Sequence, residues 1–466
     1  MQTMTIGGVA AATDETFDLV NPSTGEVFAQ APSCSREQLN QAMAAAATAQ
    51  RSWRRDEAMR RSAMEQAARL LAGSTSEIAE LITAEQGKPL ASATREVASA
   101  ASRLAYFANL EVPAEVLQDD DDAHVEIVRR PLGVVAAITP WNFPIGLALW
   151  KIAPALRAGN AVVLKPSPFT PLSALKLGEV LRDVLPPGVV NVVSGGDELG
   201  ALISGHPVPR KVTFTGSIGT GQKVNAAAAP DLKRVTLELG GNDPAIVLDD
   251  ADPAAIAHDL FWSAFINNGQ ACAAVKRVYA PTSLYRALVD ALAAIASEVP
   301  VGDPRQSGTL LGPLSTKVQL ERVASLVGDA VDQGARIAAG GHRLERPGYF
   351  FAPTVLADLS DGVAIVDEEQ FGPALPVVPY RDLDDALERA NATRYGLGSS
   401  VWTSDPDRGE TVARELDTGM TWINGHAVSP VSQPFGGVKW SGLGVENGIW
   451  GLHSFSDMHV VHRRRR

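Results

Sequence analysis

Two side chains, Cys272 and Glu238, have the chemical types and local settings of a nucleophile and a base. Cys272 ends a polar, glycine-containing segment, residues 267–272, and polar, accessible surroundings favour the reactive thiolate form of a cysteine. Glu238 stands between Leu237 and Leu239, and apolar surroundings raise the pKa of a carboxyl group toward neutrality, which suits a general base. Each residue alone also fits an ordinary role, as a small buried cysteine or a solvent-facing strand glutamate.

A glycine-rich turn is a third candidate for chemistry. Residues 214–217, Phe-Thr-Gly-Ser, follow an apolar run, and Gly219 and Gly221 open a predicted helix, although the spacing G-x-G-x-x-G is absent. Glycine lets the backbone approach a phosphate closely, and a helix start offers free N–H groups. The turn therefore fits a phosphate site, and a purely structural turn remains the alternative.

Short β-branched runs that alternate with helix-length segments would position these residues. Such alternation indicates βαβ units and a mostly parallel sheet covered on both faces, with ligands at the carboxyl ends of its strands. A second α/β segment extends from about residue 252 to 401, with predicted helices at 253–265 and 284–299. The apolar runs span residues 134–138, 161–164, 189–193, 212–214 and 245–248.

The two ends of the chain differ from this pattern. We expect helices through the first hundred residues, with capping-box spacing at 35–38 and a helix end at Gly87. An acidic run at 119–122 predicts a solvated boundary, and residues 124–130 alternate as an exposed or edge strand does. A second β-like run at 458–462 is able to pair with that strand.

Composition limits the classes of function. Lys and Arg number 41 and Asp and Glu 53, a net charge of −12, which argues against nucleic acid as a partner; the run Arg463–Arg466 is expected to be a solvated tail. Two cysteines in 466 residues favour a reducing, cytoplasmic compartment. The absence of an apolar run of about 18 residues predicts no membrane span, and the eight histidines show no metal-ligand spacing, so we expect no metal.

Seven short segments identify a family resemblance. The chain resembles the aldehyde dehydrogenase superfamily from about Asn21 to the C-terminus, and the interval of 34 residues from Glu238 to Cys272 is the usual one in that family. Seven motifs in the family's order make the resemblance specific. The segments are Thr139–Pro144, Leu164–Pro166, Phe214–Ser217, Glu238–Gly241, Gly269–Cys272, Glu368–Pro373 and Pro434–Gly437.

The resemblance implies a role for each catalytic candidate. Cys272 attacks the aldehyde carbon to give a thiohemiacetal, and the Asn142 side-chain amide and the Cys272 backbone N–H stabilise the oxyanion. Hydride transfer then leaves a thioester, and Glu238 deprotonates the water that hydrolyses it. Glu446 matches an acidic residue linked to the proton path, and Lys151 matches a supporting lysine.

The resemblance also implies NAD or NADP as the cofactor. Lys165 corresponds to a residue that contacts the adenosine ribose, and Glu369 to a carboxylate that accepts hydrogen bonds from the nicotinamide ribose. Many NAD-preferring relatives have a glutamate three residues after the lysine, where this chain has Pro168, so we predict that NADP is tolerated, with the preference open. The full set of implied cofactor residues is Ile138, Pro140, Trp141, Lys165, Gly196, Gly200, Phe214, Ser217, Glu369 and Phe371.

The implied substrate pocket is largely apolar, which favours a medium-sized apolar or aromatic aldehyde. Ser429 stands where relatives often have an aromatic residue, so a wide mouth is expected. No arginine in these segments indicates a substrate that carries a carboxylate, although loops elsewhere in the chain are able to supply such an arginine. The pocket positions are Phe143, Trp150 and Phe435, with Ile266, Ala271 and Ala273.

By the same resemblance the fold class is α/β. A Rossmann-like, parallel-sheet cofactor domain is expected at 1–116 and 132–240, an α/β catalytic domain at 241–440, and small β oligomerisation segments at 117–131 and 441–466 of a homodimer or homotetramer. Two other functions stay open: a coenzyme A-acylating aldehyde dehydrogenase, and a binding protein that keeps the fold without catalysis. Glu238 favours hydrolysis over acylation, because acylating relatives can dispense with the base.

Overall fold

The structure of the protein is a computed structural model that describes residues 2–465. The described chain begins with four strands. The prediction of helices through the first hundred residues is wrong for residues 4–32. The first two strands have only three residues each and are joined by the positive-φ glycines Gly7 and Gly8, so the sequence shows almost none of the alternation of apolar and polar residues that marks a strand. These strands are β1 (Met4–Ile6), β2 (Val9–Ala11), β3 (Thr16–Asn21) and β4 (Glu26–Pro32).

The predicted helices follow, and their end signals are confirmed. The Ser35 side chain accepts from the backbone N–H of Gln38 while the Gln38 side chain accepts from that of Ser35, which completes the capping box of the first helix. The third helix ends at Gly87, whose φ of 86° is left-handed. The helices are α1 (Arg36–Trp53), α2 (Glu57–Gly73), α3 (Thr75–Gln86) and α4 (Leu90–Asn109).

The expected parallel sheet is present, and buried β-branched strands form its centre. Four of the five predicted runs are its strands, whereas the run at 245–248 belongs to another sheet. After β5 (Glu115–Asp119) and β6 (Ala123–Pro131) come β7 (Val134–Ile138), α5 (Pro144–Arg157), β8 (Ala161–Lys165), α6 (Pro171–Arg182), β9 (Val190–Val192), α7 (Asp197–Gly205), β10 (Lys211–Thr215), α8 (Ile218–Ala228) and β11 (Arg234–Glu238). The central order is β11-β10-β7-β8-β9, all parallel, and β1 and β2 add antiparallel beyond β9.

A second sheet of seven strands contains the other α/β segment. Its order is β14-β15-β16-β13-β12-β17-β18, parallel except for β14, and the helix predicted at 253–265 is found at those residues. The elements are β12 (Asp243–Val247), α9 (Pro253–Phe265), β13 (Val275–Pro281), α10 (Tyr285–Glu298), α11 (Lys317–Asp332), β14 (Arg336–Ala339), β15 (Thr354–Ala357), α12 (Ala364–Asp367), β16 (Ala374–Tyr380), α13 (Leu383–Asn391), β17 (Gly398–Trp402), α14 (Pro406–Ala413) and β18 (Met420–Ile423).

The last elements join two different sheets. β19 (Gly442–Leu443) pairs antiparallel with β11 and so extends the first sheet, although the sequence placed it with the oligomerisation segment. After α15 (Gly448–His453), β20 (Ser456–Arg464) pairs antiparallel with β6, as predicted, with His459 opposite Val128. Residues 124–130 were predicted to be an exposed or edge strand; the edge position is wrong, because β6 also pairs with β5 on its other side, whereas Val128 and Arg130 are exposed.

The basic run at the C-terminus is not a free tail over the residues that the structure describes. Arg463 and Arg464 belong to β20, and Arg465 forms an ion pair with Asp119, the last residue of β5. The acidic run thus forms a hairpin turn that attracts the basic strand end. Arg466 lies outside the described residues.

The connection between the two large sheets is very short. Glu238 is the last residue of β11 and Asp243 the first of β12, so residues 239–242 carry the chain from one sheet to the other. Carboxyl ends of parallel strands are where α/β sheets bind ligands. The crossing therefore places a carboxylate at the junction of the two units.

Candidate active site

The loop that presents Cys272 begins where α9 breaks. Asn267, Asn268 and Gly269 follow one another with φ values of 49°, 61° and 72°, a left-handed run that a helix cannot continue. A Cβ at Gly269 would collide with the backbone of Gly372, so only glycine fits there. The chain turns and delivers Cys272 three residues before β13.

The thiol has apolar neighbours and one buried cation. Phe435 and Ala273 are buried in the cluster against which Cys272 packs, and burial raises the pKa of the thiol to about 12. The buried Lys276 opposes that shift. Its Nζ donates to the carbonyl oxygens of Ala271 at 2.5 Å and Cys272 at 3.3 Å, and it fixes the loop while it favours the thiolate.

Asn142 reaches the same loop from the first sheet. It follows β7 and is buried, and its side-chain amide donates to the carbonyl oxygen of Gln270 at 3.0 Å. Lys88 donates to the Asn142 carbonyl oxygen at 2.9 Å and holds the backbone in place. Asn142 and Cys272 line one cavity, so an amide donor and the thiol face the same space.

Glu238 is a buried carboxyl group with both oxygens free. It is 3% exposed, and neither Oε1 nor Oε2 has a hydrogen-bond partner. Burial raises its pKa well above the ordinary value, the charge of Glu446 raises it further, and Lys151 opposes the shift. A carboxyl group of this kind is able to accept a proton from a water molecule near neutral pH.

Glu446 and Lys151 form a fully buried ion pair beside that carboxyl group. Lys151 Nζ lies 2.7 Å from Glu446 Oε1, and the Thr213 hydroxyl donates to the same oxygen at 3.1 Å. The pair joins α5 to the loop after β19 across 295 positions of sequence. Glu446 Oε2 has no partner and remains an acceptor.

The first cavity, of about 340 Å³, collects half of the predicted cofactor residues around Cys272. The rings of Trp141 and Phe371 meet edge to face at 5.4 Å across it. Glu369 accepts from the Gly241 backbone N–H at 3.2 Å, and burial raises its pKa to about 7. The predicted residues that line the cavity are Pro140, Trp141, Ser217, Glu369 and Phe371.

The remaining five lie along the carboxyl ends of the first sheet, outside the walls of that cavity. Ile138 ends β7 and Lys165 ends β8, while Gly196 caps α7 and Gly200 lies over the Lys165 stem. Burial lowers the pKa of Lys165 to about 8, and the charge of Asp197 opposes this shift. The Phe214 ring fills the space where a Cβ at Gly216 would stand.

A nucleotide cofactor fits this edge of the sheet. Ser217 caps α8 and accepts from the Thr220 N–H, so a helix N-terminus faces the first cavity as the glycine-rich turn predicted. A Cβ at Gly240 would overlap the Glu369 carboxylate, and one at Gly241 would crowd the Cys272 carbonyl oxygen, which explains the double glycine. Carboxylates accept hydroxyl hydrogen bonds readily, so Glu369 is able to hold a ribose.

A second cavity, of about 400 Å³, also includes Cys272 in its wall. The rings of Trp150 and Phe435 meet edge to face at 5.0 Å in its lining. Sequence reasoning missed the residues that α4 contributes, including Arg95 and Arg103, because helix residues so distant in sequence carry no motif. The predicted pocket residues that line this cavity are Phe143, Trp150, Phe435, Ile266, Ala271, Ala273 and Ser429.

Comparison with known proteins agrees with this geometry. The model of the aldehyde dehydrogenase family matches residues 9–461. An NAD⁺ complex of an aldehyde dehydrogenase from Bacillus cereus is 36% identical, over 100% of this chain and 97% of its own, with a TM-score of 0.96. Lactaldehyde dehydrogenase from Escherichia coli is 36% identical over 99% of both chains (TM-score 0.96), and a betaine aldehyde dehydrogenase double mutant from Staphylococcus aureus is 31% identical over 100% and 97% (TM-score 0.95).

The chain therefore belongs to the aldehyde dehydrogenase family. It is an NAD(P)-dependent enzyme that oxidises aldehydes, with NAD or NADP as its cofactor. Among residues 2–465 no helix is long and apolar enough to cross a membrane, and no group of three or more His, Cys, Asp or Glu side chains is placed to hold a metal ion.

Proposed function

We propose that this protein converts an aldehyde into the carboxylic acid through a covalent intermediate on Cys272, which a water molecule activated by Glu238 hydrolyses. The observation that carries the proposal is a thiol shared by two cavities, close enough to Glu238 for that buried, unpartnered carboxyl group to influence the thiol's pKa. One cavity suits the nucleotide and the other the aldehyde. The base has the unused acceptor atoms that hydrolysis requires.

In the first half-reaction, Cys272 Sγ bonds to the aldehyde carbon and gives a thiohemiacetal. Because burial raises the pKa of the thiol, Cys272 releases its proton to water in the cavity as it attacks, and Lys276 favours the attacking thiolate. The Asn142 amide and the Cys272 backbone N–H donate to the oxyanion, each contributing roughly 3–4 kcal/mol. When bound, the nicotinamide ring accepts the hydride that leaves the former aldehyde carbon.

In the second half-reaction, Glu238 removes a proton from water, which attacks the thioester on Cys272 and releases the acid. The Lys151–Glu446 pair sits beside Glu238, with one Glu446 oxygen free to pass the proton onward. The thiol returns as leaving group. Glu238 thus acts on a different step from Cys272, and the two roles are separable by experiment.

The cofactor residues bind and orient the nucleotide. Glu369 accepts hydrogen bonds from the nicotinamide ribose hydroxyls, and Lys165 contacts the adenosine ribose. Pro168, in the turn after β8, supplies no charge against a 2′-phosphate, so the enzyme tolerates NADP, and the preference between NAD and NADP stays open. Turnover with NADP below roughly a thousandth of that with NAD, a gap of about 4 kcal/mol, would contradict this.

The substrate is a medium-sized aldehyde with an apolar or aromatic body, because aromatic rings and alanines line the second cavity near the thiol. The protein self-associates through the small sheet of β5, β6 and β20. In its edge strand β20, Met458 is 65% exposed and Val460 is 54% exposed. An unpaired strand edge with exposed apolar side chains tends to pair with a strand of another chain. We place the enzyme in the cytoplasm, where free thiols such as Cys34 and Cys272 persist.

A spectrophotometric screen tests the proposal. Aliphatic and aromatic aldehydes are mixed with enzyme and NAD or NADP, with Cys272→Ala as the blank, and NAD(P)H is followed at 340 nm. A burst followed by turnover supports hydrolysis. Turnover that requires coenzyme A would show that the acyl group is transferred to coenzyme A and not to water. Absence of any burst would indicate a binding protein without catalysis. Activity in Cys272→Ala would contradict the role of Cys272 as the nucleophile.

A further inference from the structure

The second cavity contains a buried cation that forms no ion pair among the described residues, although the charge of Glu446 acts on it from a longer distance. Arg103, on α4, is 6% exposed, and its guanidinium donates to the Asn447 side-chain oxygen. Among residues 2–465, no Asp or Glu oxygen lies within ion-pair distance of it. Burial lowers the pKa of Arg103 to about 10, so the group stays charged at neutral pH. A guanidinium removed from water without an anion is costly, which calls for a ligand that supplies one.

The other ionised side chains in the lining cancel one another. Lys88 forms an ion pair with Glu96, and the Glu446 carboxylate is held by Lys151. Glu238 belongs to the same group of buried charges, because the charge of Glu446 adds to the burial that raises its pKa and the charge of Lys151 opposes that shift. Among the buried cations in the lining, Lys88 thus has an ion-pair partner and Arg103 has none among the described residues.

A second arginine extends that charge toward the mouth of the cavity. Arg95 precedes Arg103 by eight residues on α4, about 12 Å along the helix axis, and also lines the cavity. It is exposed and hydrogen-bonds only to Ser92 among the described residues. An anion that enters the cavity therefore first meets the charge of Arg95, which solvent screens, and then the buried charge of Arg103, which solvent does not.

Aromatic contacts connect the thiol with the guanidinium. Phe435 packs in the cluster that Cys272 joins, the Trp150 ring meets Phe435, and the Arg103 guanidinium lies over the Trp150 ring at 4.5 Å. The apolar body of an aldehyde bound at Cys272 would therefore pack along these aromatic rings, and its far end would lie near the Arg103 guanidinium.

We propose that the cavity selects aldehydes that carry a carboxylate at the end opposite the aldehyde group, with an aromatic ring or short carbon chain between them, and that Arg103 binds this carboxylate. Asn447 fixes one side of the guanidinium and leaves the other donors for the substrate, since a guanidinium carries five N–H groups in a planar fork. The inference rests on the proposed function and narrows its substrate class.

Two aldehydes of matched shape and different charge test the inference. The enzyme is assayed with 4-formylbenzoate and with 4-formylbenzamide, and the ratio of their kcat/KM values is the readout. We expect the ratio to exceed about ten in the natural enzyme, because a charge-assisted hydrogen bond to a desolvated partner discriminates by at least that factor. Arg103→Gln should bring the ratio close to one, and Arg103→Lys should retain part of it.

Controls separate charge from structure. Arg69→Gln, at an exposed arginine of α2 outside both cavities, should keep the ratio of the natural enzyme. If Arg103→Gln fails to fold, inhibition of the natural enzyme by terephthalate is compared with that by its diamide. We expect terephthalate to inhibit at least about tenfold more strongly.

Three outcomes would overturn the inference: a ratio near one in the natural enzyme, an unchanged ratio in Arg103→Gln, or equal inhibition by the two terephthalic compounds. A higher kcat/KM for 4-formylphenyl phosphate than for 4-formylbenzoate would overturn the assignment to a carboxylate. Failure to oxidise the benzamide and every other aldehyde would instead contradict the proposed function, so the two failures are distinguishable.

Discussion

Replacing Glu238 with glutamine removes the charge of the buried carboxyl group and keeps its volume. Glutamine cannot accept the proton of the attacking water, whereas the thiol, Asn142 and the cofactor residues stay in place. Neither carboxyl oxygen of Glu238 has a hydrogen-bond partner, so the substitution breaks no hydrogen bond within the protein. We expect hydrolysis of the thioester to slow by about 1,000-fold, or about 4 kcal/mol, within the range of about 10²–10⁴ for general-base catalysis.

Stopped-flow absorbance at 340 nm measures both half-reactions in one trace. Glu238→Gln should give a burst of about one NAD(P)H per active site, followed by turnover that is nearly abolished. Mass spectrometry of the quenched enzyme should show the acyl group on Cys272. A burst that falls in proportion to turnover would refute the assignment, because the base would then act before hydride transfer.

A matched control is a second buried glutamate away from the site. Glu85 is buried, has a pKa raised to about 7 by burial, and hydrogen-bonds to Ser173 and the Leu172 N–H. Glu85→Gln should lower thermal stability and leave the ratio of burst to turnover unchanged. A changed ratio would show that any buried carboxyl group affects hydrolysis, and would remove the specific role of Glu238.

Glu238→Gln also makes a prediction about stability. The pKa of Glu238 is higher in the folded state than in the unfolded state, so protonation of this group favours the folded state. This contribution to stability is complete below the unfolded-state pKa and is lost as the pH rises through the folded-state pKa. The variant cannot ionise. Its melting temperature should therefore exceed that of the natural enzyme at pH 8, and the difference should shrink toward pH 4.

Three further predictions concern charge and assembly. Lys276→Met should slow alkylation of Cys272 by iodoacetamide about tenfold at pH 8, since it removes the cation that opposes the raised thiol pKa; an unchanged pH profile would limit Lys276 to a structural role. Asp197→Asn should raise the ratio of kcat/KM for NADP to that for NAD by about threefold to tenfold, because this carboxylate acts on Lys165 and opposes a 2′-phosphate; a constant ratio would place the phosphate elsewhere. Val460→Lys should reduce the mass found by light scattering at micromolar protein, and a natural enzyme that is already a monomer would contradict the role of β20.

Local signals identified much of the fold and pointed to the candidate nucleophile. The capping box at Ser35, the helix end at Gly87 and the strand runs of the first sheet depend on neighbours a few residues apart, and each was found as predicted. Glu238 stands at the end of β11 and Cys272 in the loop before β13, and short motifs mark both positions. The first four strands were missed because three to seven residues with glycine turns give too weak a period.

Tertiary structure decided which of these residues act together. Lys151 meets Glu446 across 295 positions, a contact that depends on how α5 packs against the loop after β19. Arg103 has no motif of its own, and only the packing of α4 against Trp150 buries its charge in the lining of the second cavity. Sequence alone thus determined the reaction class, because the family's motifs, which contain the candidate catalytic residues, are local. The shape and charge of the pocket arise from distant elements, since burial is a property of the folded chain.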